Sequence, residues 1–214
     1  MLDELQSEDR IRTAHMGLNF DNICLDGHNY ATVYAYQGLG TFLDGMANDE
    51  EMASRRDGDD VFTKFNFTFT RVQYVCDWLT VMLRTAGQIS TDSLVASEQM
   101  QIGGADSVRG YDPGERTGDD GYLVSLEPRF TLCREHWYVP QIAAFIDHAG
   151  VHRDTPLIGE GASDSLTGAG VGLRWNAPYN IDLRFDVGFP VGGDSVGEND
   201  DDGAKFYVAG SIKF

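Results

Sequence analysis

The chain has 214 residues, 42% hydrophobic and 11% aromatic, with 25 glycines and a formal net charge of -18. No apolar run approaches the 18 or more residues of a spanning helix, which excludes a helical membrane protein. The acidic balance excludes nucleic-acid binding, because a basic footprint is needed to neutralise phosphates.

The start, Met1-Leu2-Asp3-Glu4, has neither a basic n-region nor an apolar h-region, so a secretory leader is expected to lie outside this chain. In chain order, period-2 alternation predicts strands at 11–24, 29–40, 61–74, 78–89, 121–132, 137–150, 165–175, 180–190 and 205–214. In residues 61–70, Val61, Phe65, Phe67 and Phe69 alternate with Lys64, Asn66, Thr68 and Thr70. The same alternation sets Ile181, Leu183, Phe185, Val187 and Phe189 against Asp182, Arg184, Asp186 and Gly188. Such strands have one oily and one wet face.

Short turns near 25–28, 75–77, 133–136 and 176–179 alternate with longer loops near 41–60, 90–120, 151–164 and 191–204. Short turns on one side and long loops on the other are the asymmetry of a transmembrane antiparallel β-barrel. An all-β fold of this kind is therefore expected, and a soluble sandwich is the less favoured alternative. Phase assigns the faces. Tyr122, Val124, Leu126, Phe130 and Leu132 point to lipid, leaving Ser125, Glu127, Arg129 and Thr131 inside; Ala169, Val171, Leu173 and Trp175 point out, leaving Gly168, Gly170, Gly172 and Arg174 inside.

Acidic residues gather at Asp3 to Asp9, Asp49 to Asp60 and Glu198 to Asp202. Solvated loop tips are the plain reading, and divalent-cation binding or a salty habitat the sharper one. Cys24, Cys76 and Cys133 form no zinc-ligand spacing, so no metal site is expected. All three fall near short turns, where a Cys76–Cys133 bridge is conceivable. The five histidines, His15, His28, His136, His148 and His152, form no ligand spacing, and GxSxG, HExxH and P-loop motifs are absent. Asp147 and His148 are adjacent, which in a strand places them on opposite faces. An outer-membrane hydrolase is the different-class alternative, and an inward Ser, His and Asp cluster would support it.

The loop before residue 121 is the most informative stretch: Ser97-Glu98-Gln99-Met100-Gln101-Ile102-Gly103-Gly104-Ala105-Asp106-Ser107-Val108-Arg109-Gly110-Tyr111, then Asp112-Pro113-Gly114. Glycines and a proline predict tight bends, and one arginine among them calls for a partner. Gly103-Gly104, Val108-Arg109-Gly110-Tyr111, the Gly121-Tyr122 strand start with Glu127, the Phe145-Ile146-Asp147 triplet and the terminal Phe214 together resemble the haemolysin secretion/activation (ShlB/FhaC-like) transporters of two-partner secretion, in the superfamily of the BamA-type insertases.

That resemblance, over most of residues 60–214, implies a 16-stranded barrel of the bacterial outer membrane, of which residues 1–214 would be the C-terminal nine strands or so. The implied function is export of an unfolded exoprotein through the lumen, with no cofactor. The implied partners are that exoprotein, outer-membrane lipid and the barrel assembly machinery, which reads a terminal aromatic such as Phe214. The family's loop folds back into the lumen, so Arg109 is expected to pair with Asp147 and Glu127. A planar guanidinium suits such a latch because it can make two hydrogen bonds to one carboxylate. Nine strands cannot close the family's barrel, and its periplasmic domains have no counterpart in these residues, so an N-terminal portion is expected beyond them. A BamA-type insertase and an inactive barrel fragment are the alternatives within the membrane class.

Overall fold

The computed structural model describes residues 9–45, 53–55, 58–132, 140–156, 159–177, 180–193 and 203–212. Eleven strands are present: β1 (Thr13–Cys24), β2 (Gly27–Gly38), β3 (Thr63–Cys76), β4 (Leu79–Ser90), β5 (Met100–Ile102), β6 (Arg116–Gly118), β7 (Asp120–Thr131), β8 (Pro140–His152), β9 (Ser163–Ala177), β10 (Ile181–Gly193) and β11 (Lys205–Ile212). Nine of them form one antiparallel sheet in the order β1-β2-β3-β4-β7-β8-β9-β10-β11.

Each expected strand lies in this sheet, its described ends within three residues of those expected, while residues 137–139 and 213–214 and the expected turn at 133–136 lie outside the described residues. The stretch read as a plain loop over 90–120 differs, because β5 and β6 pair there as a separate small hairpin. Three-residue strands carry too little alternation to stand out from a glycine-rich loop.

The short turns are tight for a local reason. Cys24 pairs with Gly27, so only Leu25 and Asp26 connect β1 to β2, both with positive φ as a type I′ turn requires. Cys76 likewise pairs with Leu79 across a two-residue connection.

Alternation separates two faces. Leu18, Phe67, Val124, Ile146, Val171 and Phe185 are exposed on the outer face. On the inner face, Leu123, Ala149, Val151 and Leu166 are buried beneath Ile102, Val108 and Tyr111 of the folded-in loop. Among the described residues, apolar side chains thus lie on both sides of the sheet and only the inner set is covered. A sheet that leaves this much apolar surface uncovered requires a nonaqueous neighbour.

Not every acidic residue of the 49–60 cluster is a solvated tip: Asp60 is buried. Asp9 is also engaged, accepting from the amide and hydroxyl of Ser54 at 2.8 and 2.6 Å. Cys24 and Cys76 are free, exposed thiols, whereas Cys133 and Phe214 lie outside the described residues.

Candidate functional site: a buried arginine on the inner wall

The loop between β4 and β7 reaches the wall because its backbone bends where only glycine bends cheaply. Gly103, Gly104, Gly110 and Gly114 all have positive φ. At Gly110 the constraint is also steric, since a Cβ would lie 2.6 Å from the Phe189 carbonyl carbon. The wall makes matching room: a Cβ on Gly168 of β9 would collide with the Arg109 carbonyl oxygen.

The loop therefore lies backbone-to-backbone against β9 and β10, and Arg109 projects into the wall, 3% exposed. Its Nε and Nη2 donate to the two carboxylate oxygens of Asp147 at 2.7 and 2.8 Å, and its backbone amide donates to Asp147 at 3.2 Å. Nη1 donates to Glu127 at 2.7 Å and approaches Asp186 at 3.4 Å. The guanidinium carbon sits 3.4 Å from the centre of the Phe145 ring, a cation–π contact.

Strand register brings these groups together. Asp147 of β8 lies opposite Ser125 of β7 and Gly168 of β9, and Ser125 donates to it at 2.6 Å. Phe145 lies opposite Gly170, where a side chain on β9 would strike its ring. Glu127 and Asp147 are each 1% exposed, and Asp186 is 2% exposed. Burial works against the charge of Arg109, but hydrogen bonds and attraction from Asp147, then Glu127, outweigh it and hold its pKa above the ordinary arginine value.

The remaining motif residues also have defined places. Val108 is fully buried against the wall. The Tyr111 hydroxyl donates to the carbonyls of Thr167 and Gly192 at 3.1 and 2.7 Å. Gly103 and Gly104 form the turn closed by Gly104 N–H to the Val108 carbonyl at 3.2 Å.

Several participants carry no signal in the loop motif. Arg174 of β9 donates to Glu127 at 2.7 and 3.0 Å and to Asp186 at 2.6 Å, while Arg129 and Arg184 donate to the same two carboxylates. Arg84 and Arg184 hold the loop tip through the carbonyls of Asp106 and Ala105 at 2.6 and 3.0 Å. Tyr207 of β11 donates to the Tyr111 carbonyl at 2.8 Å and accepts from the Gly110 amide at 3.0 Å. Parity alone puts these side chains on the inner face; only pairing register shows that they converge.

Chemically, this is an ion-pair network with a removable centre. If Arg109 leaves, Glu127 keeps Arg129 and Arg174, and Asp186 keeps Arg174 and Arg184, whereas Asp147 keeps Ser125. A docked arginine can thus depart without stranding every buried carboxylate, which would otherwise cost several kcal/mol each. Asp147 and His148 point to opposite faces, His148 contacting Tyr122 and Thr167 at 3.0 and 2.8 Å. Among the described residues no group of three or more His, Cys, Asp or Glu is placed to hold a metal ion.

Comparison with known proteins agrees with this architecture. Residues 4–175 match the family described as haemolysin secretion/activation protein ShlB/FhaC/HecB. Among curated proteins, the heme/hemopexin transporter protein HuxB from two strains of Haemophilus influenzae is 23% and 25% identical, over 76% and 79% of this chain and 30% and 31% of those proteins. The chain therefore spans about a third of the length of these relatives. Among solved structures, CdiB from Escherichia coli superposes with a TM-score of 0.76 at 22% identity, over 96% of this chain and 38% of that one, and shows the fold. With four fifths of its residues matched, the chain belongs to the haemolysin secretion/activation family, ShlB/FhaC/HecB.

Proposed function

We propose that residues 1–214 form part of an outer-membrane barrel that exports an unfolded exoprotein through its lumen, and that the Val108-Arg109-Gly110-Tyr111 loop is the latch of that lumen. The observation that carries this reading is Arg109, buried against Asp147, Glu127 and Asp186 by a loop that crosses the inner face. A polypeptide cannot pass along a wall already occupied by that loop, so conduction requires the loop to shift. The network suits such exchange, since wall arginines remain on Glu127 and Asp186 when Arg109 leaves. The exposed outer face is the surface for lipid.

The test is planar-bilayer conductance of the full-length protein with and without Arg109→Ala, together with secretion of its co-expressed exoprotein. A changed open probability or lost secretion supports the latch. A wild-type protein that forms no pore, with secretion untouched by the substitution, would falsify the transport reading.

A further inference from the structure

A second buried charge lies at the other end of the same loop. Asp119, one residue before β7, is 0% exposed. Its Oδ1 accepts from Arg55 Nη1 at 3.1 Å, the Leu94 amide at 2.8 Å and the Gln99 side-chain amide at 3.0 Å. Its Oδ2 accepts from the Asp154 amide at 3.0 Å.

These donors come from three connections: β2 to β3, β4 to β7, and β8 to β9. Arg55 binds them further by donating through Nη2 to the Thr155 carbonyl at 2.6 Å, and the hydroxyls of Ser93 and Thr155 meet at 2.7 Å. Phe62, Leu94 and Val95, in the β2–β3 and β4–β7 connections, are each no more than 1% exposed. The Arg109 site uses none of these residues.

Each donor lost weakens the compensation of this buried carboxylate, most of all Arg55, which supplies a counter-charge. The described parts of the three connections are therefore coupled through one carboxylate. The sheet does not require them, since β2–β3, β4–β7 and β8–β9 pair along their own ladders. All three connections emerge at the same end of the sheet, opposite the two-residue turns.

We propose that Asp119 is the clasp of an outer lid formed by residues 53–55, 91–119 and 153–156 of these connections, opened separately from the Arg109 latch. The proposal rests on reading the barrel as a polypeptide conduit, whose cargo must pass this end. Two barriers in series would keep the pore shut to ions while the inner loop shifts, because neither opening alone completes the path.

The Ser93 and Thr155 contact allows a direct test. In full-length protein with Cys24, Cys76 and Cys133 replaced by serine, Ser93→Cys with Thr155→Cys should form a disulfide joining two of the loops. Potassium chloride conductance in planar bilayers is expected to fall about tenfold or more on oxidation and to return with dithiothreitol. In parallel, Asp119→Asn and Arg55→Gln should each speed amide exchange at Leu94 and Asp154 about tenfold or more, leaving the Arg109 amide unchanged.

Equal conductance in both redox states overturns the lid, and so does faster exchange at Arg109 in step with Leu94. A redox-gated pore that is indifferent to Arg109→Ala removes the latch but keeps the clasp. Absence of any pore in all variants removes the conduit and the gating with it.

Discussion

The partners of Arg109 are unequal, and substitution should separate their roles. Asp147 takes the Nε, Nη2 and backbone donors of Arg109 and has Ser125 otherwise. Asp147→Asn is therefore expected to release the loop while leaving the wall intact, read as faster amide exchange over Gly104 to Tyr111 with unchanged unfolding in detergent. Glu127 instead neutralises Arg129 and Arg174 as well as Arg109. Removing its charge leaves those arginines short of a counterion, so Glu127→Gln should lower unfolding stability by about 3–5 kcal/mol. Equal effects of the two substitutions would show that wall and latch are one unit. Arg109→Lys should behave like Arg109→Ala in conductance, because an ammonium cannot span both carboxylates with a planar fork.

At the scale of the element, β9 is built to be approached. Its inward residues Gly168, Gly170 and Gly172 leave space for the Arg109 backbone, the Phe145 ring and the Asp186 carboxylate respectively. Gly168→Val should leave the β8–β9 ladder in place but keep the loop off the wall, giving exchange behaviour like that of Asp147→Asn. An undisturbed loop would mean that the wall can move to admit a side chain. The opposite face is tested by Val124→Arg on β7, where Val124 is exposed between Tyr122 and Leu126 of its own strand and opposite Thr85 and His148 of the neighbouring ones. Against lipid near the midplane this should cost about 2–4 kcal/mol in unfolding from vesicles. A cost near zero would place that face in water.

For the whole molecule, the consequence is an open sheet with β1 and β11 at its edges. Backbone groups on such edges have no partner from a neighbouring strand, and β1 is exposed along its full length. The isolated chain is expected to associate or aggregate without detergent, measured by sedimentation. A dispersed monomer in plain buffer would show that the edges are satisfied in another way.

The nine strands of the main sheet, their faces and the long–short rhythm of the connections were legible in the sequence, whereas the β5–β6 hairpin was not. Each depends on residues close in the chain: alternation such as Phe65, Phe67 and Phe69 against Lys64, Asn66 and Thr68 reports a two-sided surface directly. The glycines of the 103–114 loop likewise signalled bends by local chemistry. Pairing of Arg109 with Asp147 and Glu127 was expected from the family resemblance, whereas the convergence of Asp186, Arg174 and Tyr207 on the same site and the Asp119 knot were decided only by tertiary structure. These contacts join residues as far apart as Gly110 and Tyr207, or Arg55 and Thr155. Parity says which face a charge is on, but the register of several successive strands determines which charges meet, and register arises from the pairing of the whole sheet.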